Sequence, residues 1–332
     1  MTVNVTKPAL NIREKLAELD KPSGIAGEAM LRADSVQEQR NLIGAGRKNL
    51  IINGGFDVWQ RGTSFTAGNY YHADRSLCYI DTRADSSLSR STDVPATGHF
   101  KYSQKLTASQ ANGYPFYRQK IEDFSTWVNS TNSYVMSFWA KASVPMTIVS
   151  DLGDASPETH SLTTSWQRFT NIVPAGTTFS YTAFDIQENS AAGDIYITGV
   201  QLELGSVATD FEHRSYGEEL ALCQRYYYRY INTNTANKYY GAVVYYNSTN
   251  VRWHIKFPVS MRTTPSLDHT TGATHWSAYS SATGDDLISF ALHSGNEESV
   301  TIYSGNGNGV AGQAGNVQAN SAASYMAFDA EL

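Results

Sequence analysis

The run Asn49-Leu-Ile-Ile-Asn-Gly-Gly-Phe-Asp-Val-Trp-Gln-Arg-Gly-Thr63 marks a change of grammar in this chain. From there to about Phe211, apolar and polar residues alternate with period 2. That pattern fits strands, whose successive side chains point to opposite faces, and not an amphipathic helix. Tyr102-Ser-Gln-Lys-Leu106, Phe116-Tyr-Arg-Gln-Lys-Ile121, Tyr134-Val-Met-Ser-Phe-Trp139, Trp166-Gln-Arg-Phe169 and Asp194-Ile-Tyr-Ile-Thr-Gly-Val-Gln-Leu-Glu-Leu204 are β-branched or aromatic runs separated by turn-forming residues. Short strands punctuated in this way predict a β-sandwich.

Two other blocks flank it. Tyr216-Gly-Glu-Glu-Leu-Ala-Leu-Cys-Gln-Arg-Tyr-Tyr-Tyr-Arg-Tyr230 reads as a short helix running into a strand, and 239–246, 251–257, 287–292 and 299–303 alternate as further strands between Gly-, Ser- and Asn-rich turns. A second, smaller sandwich is expected there. Ahead of both, residues 8–47 read as helices, with Leu10, Ile12, Leu16 and Leu19 as an apolar stripe and Ser35-Val-Gln-Glu38 as a capping box. A segment so poor in apolar residues buries no core alone, so Leu16 and Leu19 are candidates for contact with another copy or a larger assembly; an arm folded back on its own domain is the alternative. The predicted fold class is mainly β: a helical anchoring or oligomerisation segment (1–48), a jelly roll (49–213) and a second antiparallel β-sandwich (214–332).

Charge narrows the function. The net charge is -6 with 17% charged residues, and 17 of the 25 basic side chains but 25 of the 31 acidic ones lie in residues 49–332. Such a balance suits a nucleic-acid backbone poorly. The start Met-Thr-Val-Asn-Val-Thr-Lys lacks the apolar core of a signal peptide, and no run approaches the ~20 apolar residues of a membrane span. Cys78 and Cys223, far apart and outside any CxxC, fit a protein made in a reducing cytoplasm, with a pairing of the two left open.

Four signatures together resemble virion structural proteins of phages, in particular tail-fibre and appendage proteins of marine, cyanophage-like viruses that carry a jelly roll similar to carbohydrate-binding modules. They are the Asn49–Thr63 opening, read as a first strand; the Lys141-Ala-Ser-Val and Gly199-Val-Gln-Leu-Glu-Leu-Gly205 segments; the 216–230 helix-to-strand block with Phe257-Pro-Val-Ser-Met-Arg-Thr-Thr-Pro265 and Tyr325-Met-Ala-Phe-Asp-Ala-Glu-Leu332; and the N-terminal block from Thr6 to Ala33. The resemblance implies a non-enzymatic protein of the virion, a homotrimer that contacts other virion proteins through its N-terminal segment and host surface polysaccharide through its sandwiches. It also implies a structural calcium beside Asp57, although the last strand reads Ile197-Thr-Gly-Val200 where the pattern carries paired Asp, leaving Asp194 as a substitute. The rival readings are a decoration protein that binds no sugar and a glycan depolymerase.

Sugar rings stack on aromatic faces framed by polar groups. Tyr70, Tyr71 and Tyr114, beside glycines, are the first candidates, with Tyr117 and Trp127 behind them, whereas Trp59, Phe138, Trp139 and Trp166 are expected in the core. In Tyr226-Tyr-Tyr-Arg-Tyr230, strand geometry puts Tyr226, Tyr228 and Tyr230 on one face and Tyr227 with Arg229 on the other, so Tyr226, Tyr228, Arg229 and Tyr230 are candidates for a subunit or receptor contact, with core packing as the alternative. Gly307-Asn-Gly-Val-Ala-Gly312 matches GxGxxG but precedes no helix, so it reads as a loop and not a phosphate site. Adjacent acids at Glu122-Asp123, Asp285-Asp286 and Glu297-Glu298 point to opposite faces of a strand and make no hydrolytic pair. Neither a Gly-x-Ser-x-Gly elbow nor an HExxH pair is present.

Overall fold

A computed structural model describes residues 48–332 apart from 67, 81–85, 112–115, 123–130, 181–182, 233–234 and 281–282, and apart from the side chains of 68–70, 79–80 and 283. The expected helices of 8–47, with Leu16 and Leu19, lie outside the described residues. Residues 49–332 form one compact unit.

Its first half is a sandwich of two six-stranded antiparallel sheets. One, the front sheet, runs β1 (Ser64–Thr66), β4 (Ser87–Ser91), β5 (Ser103–Ala108), β12 (Gly193–Leu204), β7 (Tyr134–Ala142), β10 (Gln167–Val173). The other, the back sheet, runs β2 (Gly68–Tyr71), β3 (Leu77–Ile80), β6 (Tyr117–Lys120), β11 (Ala183–Gln187), β8 (Met146–Leu152), β9 (Ala155–Leu162). Leu88, Leu106, Tyr134, Phe138 and Ile197 from the front meet Cys78, Tyr117, Ile148, Phe184 and Ile186 from the back in one buried cluster. Alternation explains the layers: each strand sends every second side chain inward.

The opening segment corrects an expectation. Residues 49–63 form no strand. Side-chain amides replace the ladder: Gln119 pairs with both the N–H and the C=O of Ile52 at 2.7 Å, and Asn53 bonds the N–H and C=O of Val58 at 2.9 and 2.8 Å. The segment docks where β12 bulges between Thr198 and Gln201, with Val200 N–H donating to Gly54 O at 2.9 Å. Gly199 makes that bulge at φ +62°, with Phe100 packed so closely that a Cβ would lie 2.5 Å from its ring.

The second half starts with α1 (Tyr216–Gln224), capped by Ser215 and Glu218 in a reciprocal box. A three-stranded sheet orders β13 (Tyr227–Asn232), β22 (Tyr325–Asp329) and β16 (Ser266–His269). It faces a seven-stranded sheet of β18 (Thr283–Leu287), β17 (Trp276–Ser280), β21 (Ala314–Ala319), β14 (Lys238–Tyr245), β15 (Val251–Lys256), β20 (Ser299–Ser304) and β19 (Ala291–Gly295). Ile231, Met326 and Phe328 from the small sheet pack on Tyr245, Trp253, Trp276, Ile302 and Val317 from the large one. The strand expected over 287–292 is broken, because Phe290 turns into this core between Trp253 and Trp276. The GxGxxG stretch is a loop between β20 and β21, pressed so close to Tyr245 that a Cβ on Gly309 would sit 2.4 Å from the ring.

Between the two cores lies a third, small cluster: Ile52 and Val58 from the opening segment, Cys223 and Tyr226 from α1 and its turn, and Leu332 against them. Cys78 and Cys223 are both buried free thiols. Among the described residues, no helix is long and apolar enough to cross a membrane.

Candidate functional site

The tyrosine run is covered on both sides within the chain. Tyr228 and Tyr230 pack on the second core, Tyr230 against Trp253 at 5.4 Å and Tyr228 against Phe257 at 6.2 Å. Tyr226 and Tyr227 face the first sandwich, where the Arg75 and Arg61 guanidiniums each lie 3.6 Å from a ring centroid. Tyr226 does not share a face with Tyr228 and Tyr230 as alternation predicts, because it belongs to the turn after α1 and the strand begins one residue later. Arg229 lies over Tyr325 at 4.4 Å, and its N–H donates to Gln60 Oε1. Tyr226 and Arg229 thus lie at an internal joint with the first sandwich, while Tyr228 and Tyr230 pack on the second core, the alternative that the sequence leaves open.

Buried charge completes that joint. Arg75, 1% exposed, pairs with Glu331, 5% exposed, and donates to Lys120 O at 2.6 Å. Arg61 reaches Asp329 and Glu331 at 3.3 and 3.2 Å, while Gln60 bonds Asp74 and the Tyr227 carbonyl. Tyr71, a sugar-stacking candidate, is half-buried here instead, its hydroxyl donating to Leu332 O at 3.0 Å and burial raising its pKa. Tyr117 is a core residue at 1% exposure, edge-on to Phe56 and Phe184, and offers no face to a sugar. Tyr114 and Trp127 lie outside the described residues, as does the side chain of Tyr70, whose backbone is in β2.

The surroundings of Asp57 do not fit a calcium ion. Burial raises its pKa, and the first charged neighbour that offsets this is the Lys101 ammonium, which competes with a cation for the carboxylate. Asp194 is engaged elsewhere, with Lys105 at 2.9 Å and Thr107 at 2.7 Å. Among the described residues, no three His, Cys, Asp or Glu converge as a metal site.

One acidic pair does exist, across strands rather than along one. Asp185 and Asp151 are register partners on the outer side of the back sheet, next to Arg118. Arg118 holds Asp185 with two bonds of 2.7 and 2.5 Å. Both carboxylates are buried, at 0% and 1% exposure, so neither is open to a substrate oxygen. Burial, with Asp185 close by, pushes the Asp151 pKa from the ordinary 3.8 to about 6. The folded chain then holds the Asp151 proton more tightly than the unfolded one, so this group costs stability as pH rises from about 4 to about 6. Asp151→Asn is expected to remove that slope and to raise stability at pH 7 by about 1 kcal/mol, a figure reduced for solvent screening. Urea midpoints for both proteins across that range are the check, and parallel pH profiles would count against it.

The remaining site is a surface of rings. On the outer side of the front sheet, the register Ser89–Lys105–Tyr196–Lys141 crosses β4, β5, β12 and β7 in one row. Trp166, just before β10, sits 6.3 Å from Tyr196, and both are half-buried. Asp93 fixes the indole, accepting from Trp166 Nε1 at 3.0 Å while bound to Lys141 at 2.5 Å. Lys141 in turn lies 5.6 and 5.0 Å from the Trp166 and Tyr196 rings, and Lys105 5.6 Å from Tyr196. Of the residues expected in the core, Phe138 is there and Trp59 packs against that core, whereas Trp139 is half-buried on the strand face opposite Phe138 and Trp166 lies beside Tyr196 on the outer side. Period-2 patterning states that a strand has two faces but not which is inside, and Trp166 precedes its strand, where alternation does not reach. Two rings held by a carboxylate and two ammonium groups can stack an apolar sugar face and bond the hydroxyls around it.

No protein-family model matches the chain, and no curated protein matches it. Among solved structures, the chain is similar to the CBM22-1 xylan-binding domain of Xyn10C from Paenibacillus barcinonensis, at 12% identity over 49% of this chain and 99% of that one, with a TM-score of 0.32. The N-terminal CBM22-1–CBM22-2 tandem domain of the same Xyn10C matches at 10% identity over 86% of this chain and 98% of that one, with a TM-score of 0.32. The enzymatically active domain of tailspike protein 4 from bacteriophage CBA120 matches at 20% identity over 47% of this chain and 21% of that one, with a TM-score of 0.31. At these scores the likenesses carry no function across, and the sandwich architecture stands on the sheets themselves.

Proposed function

We propose that this protein is a non-catalytic adhesion protein of a phage virion, a tail fibre or appendage made in the host cytoplasm, and that its first sandwich holds host surface polysaccharide against Trp166 and Tyr196. The observation that carries the reading is the indole of Trp166, left on the outside of a sheet and fixed in orientation by Asp93 and Lys141. A large ring pinned by polar neighbours is pre-organised for stacking, which lowers the entropy lost on binding. The resemblance of residues 6–33, 49–63 and 216–332 to appendage proteins supports the setting. Individual sites of this shallow kind are weak, and several copies on one particle, joined as trimers through residues 1–48, multiply them through effective concentration.

Affinity electrophoresis of the full chain in gels containing host-cell polysaccharide tests the idea. Retardation is expected for the wild type, with about tenfold weaker binding for Trp166→Ala at an unchanged melting temperature. Equal retardation of the two proteins would remove the site from this surface. A flat result for both across host polysaccharides would favour a decoration protein, and release of reducing ends would favour a depolymerase.

A further inference from the structure

We infer that the outer face of the seven-stranded sheet is a second binding surface, for an acidic polysaccharide, with Arg252, His254 and Lys256 as its cationic row. This deepens the adhesive reading above and rests on it for the class of ligand. The inward residues of β15 are Val251, Trp253 and Ile255, at 1–2% exposure, so the alternate residues Arg252, His254 and Lys256 point outward, about 6.6 Å apart. His254 and Lys256 are exposed and Arg252 is half-buried.

The neighbours are set by register. Val244 on β14 and Tyr303 on β20 flank Arg252, Thr301 flanks His254, and Ser299 flanks Lys256. No carboxylate is among them. On the strands of this sheet, Asp and Glu occur only on the edge strand β18, as Asp285 and Asp286; in the turn before β20 Glu298 is engaged by Ser260. Arg252 and His254 thus stand among register neighbours that carry no carboxylate, and the nearest acids along the sheet, Glu297 and Glu298, lie at the Lys256 end in the turn before β20. Arg252 is stacked on Tyr246 at 3.6 Å, and its Nε is buried with no hydrogen-bond partner among the described residues. That stacking holds the guanidinium in place while Tyr246, 60% exposed, offers its own ring to a ligand. His254 Nδ1 lies 3.2 Å from Thr301 Oγ1, which orients the imidazole.

A flat row of cations, hydroxyls and rings suits an extended polymer carrying carboxylate or sulfate groups better than a compact anion, which would be wrapped by donors from several sides. Nucleic acid fits less well: binding to its backbone grows with the number of cations engaged, and three side chains on an acidic chain supply few.

The probes for the full chain are polygalacturonate for carboxylates, dextran sulfate for sulfates, unmodified dextran as neutral control and single-stranded DNA. Binding to one or both acidic polysaccharides is expected, weakening about tenfold between roughly 50 and 300 mM salt. Lys256→Glu with His254→Glu, both at exposed positions, should weaken it at least about tenfold at an unchanged melting temperature, and adding Arg252→Glu should abolish it. Trp166→Ala should leave acidic-polymer binding intact, while the Lys256→Glu, His254→Glu protein should keep its Trp166-dependent retardation, so failure of either surface is read separately. No binding to either acidic polymer, binding unaffected by the exposed pair of changes, or binding to DNA alone would overturn the assignment.

Discussion

Arg75→Ala should lower the stability of the 49–332 unit by about 3–5 kcal/mol, read as a shift in the urea unfolding midpoint. The magnitude comes from what is left behind. Glu331 is 5% exposed and would keep a charge with only Arg61 to answer it, the Lys120 carbonyl would lose a 2.6 Å donor, and Tyr226 would lose the cation over its ring. Removing one partner of a buried pair is costly even where the intact pair contributes little net stability. Changing both partners, Arg75→Met with Glu331→Gln, should therefore cost less than Arg75→Ala alone. A loss under about 1 kcal/mol for Arg75→Ala would show that water reaches the joint and that the charges there are screened.

Gly54→Ala is the second large effect, expected at about 3 kcal/mol. A Cβ at this position would lie 2.0 Å from Val200 O and 3.3 Å from Ile51 Cγ2, and the first of these is backbone that cannot rotate away. The same spot carries the Val200 N–H to Gly54 O bond that anchors the opening segment on the β12 bulge. Relief by backbone movement would pull Ile51 and Phe56, both 0% exposed, out of the first core. The neighbouring Gly55→Ala meets nothing nearer than 3.5 Å and serves as the control. If the two alanines unfold at the same urea concentration, the close approach at Val200 does not hold in solution.

Much of the fold could be read from residue order alone. Strand periodicity placed β5, β6, β7, β12, β15 and β20 to within a few residues, and the 216–230 block does pass from helix to strand. The opening segment alternates as a strand does, but its backbone is bonded from the side by Asn53 within it and by Gln119, 67 positions on, and a partner so far along the chain leaves no local trace. The joint was invisible for the same reason, since Arg75 and Glu331 are 256 positions apart. Of the rings proposed to stack on sugar, Tyr71 beside its glycine bonds Leu332, and Tyr117, on β6, belongs to the core, because a ring's neighbours in sequence do not say what packs on its face. What exposed Trp166 was the Asp93–Lys141 pair, assembled from a loop and a strand that only the folded sheet brings together.

The arginine joint also sets a distance. Because Arg61 of the opening segment and Arg75 of the β2–β3 turn tie the first sandwich to Asp329 and Glu331 at the C-terminal end of the second, the outward faces of the front sheet and the seven-stranded sheet share a fixed span instead of hanging on a slack tether. A rigid spacer gains from a second contact only when the ligand's own repeat matches it, and loses that gain entirely when it does not. If both proposed surfaces bind, the expected result is a preference among polymers set by their period as well as by their chemistry.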